Sequence, residues 1–283
     1  MKKLLIVLLA LTVMGMFAVA QDAAPVLTWS GSVNSGFAEV SNSAASTNLG
    51  QYYDYNSETA GRLRLQGAIN AADGNSGFQF RVQNSGSGLT ATAPVLNQAW
   101  AYGKFLNGMV KVEAGLLNNY AFSVGDWACF GSHDGSLGAL VSVTPMEGLS
   151  LGAYLPMPTG GTGYTSGTIQ FAYAMKDVVK LFGGYTLSPL ATNSGDIYVG
   201  LDLKAVPNLA FDVEFQLAKL ADSTNGITTI VEHAAYTMGA LTVSAYAGEW
   251  MFASASSNLY YNFEPQVAYK VSDPVTVALI GNV

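Results

Sequence analysis

The chain has 283 residues, twelve basic and nineteen acidic side chains, and a net charge of −7, with hydrophobic residues at 50% and charged ones at only 11%. That balance excludes a nucleic-acid binder, whose electrostatic footprint is basic. After the first twenty residues, no uninterrupted apolar run approaches the roughly 20 residues of a membrane helix, so any crossing of a membrane falls to strands.

Lys2 and Lys3, the apolar run Leu4 to Phe17, and Ala18-Val19-Ala20 before Gln21 read as a secretion signal cleaved after Ala20. The mature chain, 21–283, then leaves the cytoplasm with ten basic against nineteen acidic residues, a net charge of −9. Cys129 is the only cysteine, so no intramolecular disulfide forms even in an oxidising compartment. It reads as a small packed residue rather than a reactive thiol. No linker or charge block divides the mature chain, which is taken as one domain.

From Leu27 to Val40, Leu27, Trp29, Val33 and Phe37 share one parity and Thr28, Ser30, Ser32 and Asn34 the other, which is a first strand. The polar stretch Ser41 to Thr59 leads to the clearest alternation: Leu63, Leu65, Gly67 and Ile69 against Arg62, Arg64, Gln66, Ala68 and Asn70. A slip of one residue there would exchange the two faces. Ala72 to Ser76 carries hairpin chemistry, and Phe78, Phe80 and Val82 then alternate with Gln79, Arg81 and Gln83. Asn97 to Phe105 follows a polar loop, Ser85 to Leu96, and turns through Leu106-Asn107-Gly108 into Val110 to Leu116. There Lys111 and Glu113 oppose Val110, Val112 and Ala114.

A long aromatic loop leads to a strand ending at Thr144. Leu149 to Leu155, Thr168 to Met175, Val178 to Leu187, Asp196 to Ala205 and Leu209 to Leu217 come next. In the last of these Phe211, Val213 and Phe215 alternate with Asp212, Glu214 and Gln216. Ile227 to Thr237, Ala240 to Gly248, Leu259 to Lys270 and Pro274 to Ile280 complete fifteen candidate strands.

Connections after odd-numbered strands are long or medium, and those after even-numbered strands are a few residues each. Long and short connections therefore collect at opposite ends of the sheet, as in an outer-membrane barrel with short periplasmic turns and long external loops. The expected fold is all-β, a transmembrane antiparallel up-and-down barrel with the apolar parity toward lipid and the polar parity toward the lumen. Closure protects backbone groups that lipid cannot satisfy. Such barrels carry even strand numbers, so either one strand is miscounted or a sixteenth, closing strand is expected beyond Val283.

The signal, this cadence and the long loop between the fifth and sixth strands resemble bacterial general porins. Leu27-Thr28-Trp29-Ser30-Gly31-Ser32-Val33, Lys111-Val112-Glu113-Ala114-Gly115 and Pro145-Met146-Glu147-Gly148-Leu149-Ser150-Leu151-Gly152 are also similar to phrases of spirochaete porin-like proteins. The resemblance implies a channel for passive diffusion of small hydrophilic solutes and ions, set in outer-membrane lipid. It brings a homotrimer into view, with no cofactor, metal or catalysis.

It further implies that the loop 118–135 folds into the lumen, its acids Asp126 and Asp134 facing basic wall residues Arg62, Arg64, Arg81 and Lys104 across a constriction. Opposed charges of this kind set up a transverse field that governs ion preference. Lys111, Glu113, Asp202, Lys204, Asp212 and Glu214 are further wall candidates. Trp29, Trp100, Tyr102, Trp127, Trp250, Tyr260 and Tyr261 are read as an interfacial belt or loop packing rather than a sugar-stacking track.

Two other classes compete. Ser132-His133-Asp134 are neighbours in sequence, which does not make a catalytic relay, and His133 and His233 have no metal-site spacing. A plugged barrel whose external loops bind a partner is the alternative function, with Tyr52, Tyr53 and Tyr55 of the first loop as contacts.

Overall fold

The computed structural model describes residues 24–34, 36–41, 47–52, 62–84, 94–124, 130–133, 135–157, 166–187, 195–219, 226–252, 259–273 and 275–281. Asp126, Trp127, Cys129, Asp134 and the predicted signal lie outside the described residues, as do Tyr53 and Tyr55. By backbone proximity the chain divides into two units, Met1–Leu117 with Gly135–Leu137, and Asn118–Asp134 with Gly138–Val283.

In the first unit the strands are β1 (Val26–Asn34), β2 (Gly36–Ser41), β3 (Thr47–Tyr52), β4 (Arg62–Asn70), β5 (Ser76–Gln83), β6 (Val95–Phe105) and β7 (Val110–Leu116). β1 pairs antiparallel with β4, β4 with β5, β5 with β6 and β6 with β7. The expected first strand, Leu27 to Val40, is thereby corrected. It stops at Asn34, and Gly36–Ser41 pairs instead with Thr47–Tyr52 as a separate hairpin. Asn34-Ser35-Gly36 supplies the break, since a Ser-Gly pair beside Asn favours turning over extension.

The short connections owe their tightness to local chemistry. At Leu106-Asn107-Gly108 all three residues take positive φ, 53°, 56° and 85°, the left-handed region that Asn and Gly reach most cheaply. Between β4 and β5, Asp73 Oδ1 accepts the Asn75 amide at 2.9 Å, an Asx turn. That bond and the Asn75 side chain hold the exposed Asp73 carboxyl below its ordinary value.

The second unit holds β8 (Leu137–Met146), β9 (Leu149–Pro156), β10 (Gly167–Met175), β11 (Val179–Leu187), β12 (Asp196–Leu203), β13 (Leu209–Ala218), β14 (Ile227–Met238), β15 (Leu241–Phe252), β16 (Leu259–Ser272) and β17 (Val275–Ile280). Each pairs antiparallel with the next. With the hairpin set aside, the described residues form fifteen antiparallel strands in up-and-down order, all β, corresponding to the fifteen runs read from the sequence. The run expected at Ala240 to Gly248 is instead Leu241–Phe252, β15, which carries Trp250 into the strand opposite Tyr260.

The alternation is inverted relative to a water-soluble sheet. On β10, Thr168, Gln170 and Ala172 are buried while Ile169, Phe171 and Tyr173 are exposed. On β12, Tyr198 is buried while Ile197 and Val199 are exposed. On β16, Glu264 is buried between the exposed Phe263 and the exposed Val267 and Tyr269. A sheet in water hides its apolar parity; this one hides its polar parity and displays Leu, Ile, Val, Phe and Tyr. Only Glu232 and Glu249 put charge on the outward parity among the described strand residues, and nothing in the structure explains them.

Candidate functional site

On the polar face of the second unit lie residues 118–124 and 130–133, folded back against β9 to β13 rather than standing beyond the strand ends. The base of this segment is closed by the His133 amide, which donates to the Asn119 carbonyl at 2.8 Å. Strand side chains hold its other described residues.

Glu214 of β13 is the central one. Its Oε1 accepts the Val124 amide at 3.0 Å and its Oε2 the Phe130 amide at 2.7 Å. One carboxylate thus ties together two loop residues, with 3% of Glu214 exposed. Charge-assisted bonds of this kind are about twice as strong as neutral ones. Lys180 of β11 complements it, donating its Nζ protons to the carbonyls of Ser123 and, at 3.3 Å, Tyr120. An anion takes loop amides and a cation takes loop carbonyls, so orphan backbone groups find strand partners without any second segment of sheet.

Packing completes the seat. Phe122 is fully buried, its ring lying on Gly152 of β9 so closely that a Cβ there would meet Phe122 Cζ at 2.6 Å. His133 stacks on Tyr154 with ring centroids 4.0 Å apart. Its Nε2 lies within hydrogen-bonding distance of the Gln170 side-chain amide, 3.2 Å from Oε1 and 3.1 Å from Nε2, and the Tyr198 hydroxyl donates to Gln170 Oε1 at 3.0 Å. His133 is therefore spent on docking the loop and is not part of a relay with Ser132.

Burial pushes the His133 imidazole down to about 4 from an ordinary 6.5, the Gln170 hydrogen bond opposing only in part. A released loop would protonate near 6.5 while the docked one resists, so docking is undiminished above that pH and weakens as pH falls toward 4. The loss is about 3 kcal/mol at the acid end. The protection factor of the His133 amide, followed by hydrogen exchange from pH 7 to pH 4.5, should fall in wild type and stay level in His133→Gln. A level wild-type profile would refute this account.

The other sequence-predicted residues lie as follows. In the first unit Arg64 Nε donates to Gln83 Oε1 and Arg81 Nε to Asn97 Oδ1, both at 3.0 Å. Lys111 pairs with Glu113 at 2.8 Å, and Lys104 and Lys111 both sit within 6 Å of the Tyr102 ring, at 5.8 and 5.4 Å. Arg62 belongs to β4 by its backbone, and its side chain is outside the described residues. In the second unit Asp202 pairs with Lys204 at 3.2 Å and Asp212 with His233 at 2.8 Å. All of these are on the polar parity. Trp100 and Tyr102 are also inward and packed, Trp100 at 6% exposure, whereas Trp29 and Tyr261 are on the exposed apolar face.

Sequence reasoning passed over Lys180, Gln170, Tyr198 and Phe122. Lys180 and Gln170 carried one available signal: each is a polar residue on the inward parity of a strand, the same rule that selected Asp202 and Glu214.

Solved structures share this architecture. A mutant of the Rh. blastica porin aligns with a TM-score of 0.62 at 16% identity, covering 91% of this chain and 94% of that one. The fold is porin-like. A Rhodopseudomonas blastica porin triple mutant matches at a TM-score of 0.62 and 14% identity over the same shares. The anion-selective porin from Comamonas acidovorans matches at 0.61 and 13%, covering 91% of this chain and 89% of that one. No protein-family model matches the chain, and no curated protein sequence does.

Proposed function

We propose that this protein is an outer-membrane porin, a non-enzymatic channel for passive diffusion of small hydrophilic solutes and ions through a water-filled lumen constricted by the loop 118–135. The carrying observation is the loop seated on the polar face by Glu214, Lys180 and Phe122, while the opposite face is apolar and exposed. A loop placed there narrows whatever passes along the polar wall. The signal at residues 1–20 delivers the chain, and a homotrimer is its assembly.

Within this reading Asp126 and Asp134 are the constriction acids. Arg62, Arg64, Arg81, Lys104, Lys111, Glu113, Asp202, Lys204 and Asp212 supply the wall charge. Glu214 acts chiefly by holding the loop. The test is single-channel conductance of the detergent-purified protein in planar bilayers under an ion gradient. Steady conductance whose reversal potential moves on Asp126→Asn or Arg81→Gln is expected. A folded protein that passes no current would overturn the proposal.

The lipid-facing parity makes a separate prediction. Val199, 47% exposed near the middle of β12, should tolerate polar substitution in a water-soluble sheet. Facing hydrocarbon, Val199→Arg should instead cost about 2–4 kcal/mol. Equilibrium refolding into phospholipid vesicles measures it, and a change within ±0.5 kcal/mol, the usual range for a water-exposed site, would argue against a lipid contact.

A further inference from the structure

A row of ionisable side chains crosses the polar face of the second unit, one step from the loop's seat toward the short turns. Strand register sets Lys180 of β11 opposite Asp202 of β12, Asp202 opposite Asp212 of β13, and Asp212 opposite His233 of β14. Tyr246 of β15 and Glu264 of β16 continue it. Asp212 stands two residues along β13 from Glu214, about 7 Å at the rise of a strand. Carboxylates directly opposite one another destabilise a sheet, and here each has a basic partner. Asp202 pairs with Lys204 at 3.2 Å, and Asp212 with His233 Nδ1 at 2.8 Å. The partners differ in kind. A lysine keeps its charge through the neutral range, whereas imidazole is the side chain whose charge changes between pH 5 and pH 8. Tyr246 holds the imidazole beside Asp212 by stacking on it, 4.2 Å between centroids and 14° between planes.

We infer that His233 makes the ion preference of this channel depend on pH, an inference that rests on the pore proposed above and names a regulation of it. With a neutral imidazole, Asp212 adds a full negative charge beside that of Asp202, and this stretch of wall favours cations. With an imidazolium, Asp212 is compensated and the preference falls. Glu214 and Glu264 face the same stretch from β13 and β16, and Lys180 and Lys204 face it from the β11 and β12 side. They set a background against which one charge is gained or lost. Phenols carry no charge in this range, so Tyr246 acts as a packing surface. No contact between ion and carboxylate is needed, since the field acts through the lumen water. The side chains of Asp202, Asp212 and His233 are 18%, 14% and 10% exposed, which leaves the imidazole open to protons.

The test is the reversal potential of the channel under a potassium chloride gradient, read from pH 5 to pH 8. A unit charge about 8 Å from a passing ion in water alters its local concentration about twofold, in opposite senses for cation and anion. The potassium-to-chloride permeability ratio of the wild type should therefore rise about fourfold across the range. His233→Gln, which keeps a hydrogen-bonding side chain and never charges, should hold the ratio at its pH 8 value throughout. Asp212→Asn should lower the ratio at pH 8 and move the midpoint of the profile toward acid, because the imidazolium loses its anion. A purely structural His233 would produce no such profile. A wild-type ratio that stays level, or a profile that survives in His233→Gln, overturns the inference and leaves the pore standing. Should the glutamine variant fail to fold, conducting Asp212→Asn channels with an unmoved midpoint overturn it as well. A folded protein that carries no current sinks the pore and this inference together.

Discussion

Replacing Glu214 by alanine should undo the loop's seat more completely than any other single polar change. The substitution removes the acceptor for the Val124 and Phe130 amides together. Bonds to a charged group contribute about 1.5–3 kcal/mol each. Losing both should therefore lower loop docking by about 3 kcal/mol or more, roughly a hundredfold in the docked-to-released ratio. Hydrogen exchange read by mass spectrometry checks this directly: protection of the Val124 and Phe130 amides should drop about a hundredfold while strand amides of β13 keep theirs. Glu214→Gln retains one good acceptor and should fall between. In bilayers the released loop should appear as larger and noisier single-channel currents. Unaltered protection in the alanine variant would mean that Phe122, Lys180 and the His133 stack seat the loop without Glu214.

Phe122→Ala carries the other large expectation, a loss of about 3–5 kcal/mol, the usual range for emptying a fully buried phenylalanine site. The ring is fully buried and lies against bare backbone at Gly152, so little can collapse into the space it leaves. Gly152 provides the internal control. In wild type, Gly152→Ala drives a methyl into the Phe122 ring and should destabilise. In the Phe122→Ala background the same methyl enters vacated space and should be neutral or stabilising. Chemical unfolding in detergent micelles across this double-mutant cycle should give a coupling of about 1–3 kcal/mol, and strict additivity would show that the two groups do not meet.

The two substitutions report on a division visible throughout the molecule. Arg62 to Asn70 could be read as a strand from its residues alone because the period of two is a local property. Its register with Phe78 to Gln83 followed from a turn, Asp73-Gly74-Asn75, whose chemistry is equally local. The first strand was misjudged where the rule is weakest. Val33 and Phe37 share a parity, yet the Ser-Gly pair between them diverts the chain into its own hairpin. The end of β15 was misjudged for a similar reason. Gly248 looked like a strand end, whereas it is the gap over which the Trp250 indole lies, and the strand runs on to Phe252.

The loop shows the limit of local reading most plainly. Its length, aromatic content and place between the fifth and sixth strands were legible. Its partners were not, because Glu214 reaches Val124 and Phe130 across 90 and 84 positions of sequence. No periodicity relates residues so far apart. By itself the sequence determined which residues alternate, where the chain turns and that one face would be apolar, since each depends on steric preferences within a few residues. Only the tertiary structure decided that the loop turns back onto the polar face, that Glu214 and Lys180 hold it through its backbone, and that Asp202, Asp212 and His233 stand in one row. Those choices depend on strand pairing, which brings distant side chains within hydrogen-bonding and stacking distance.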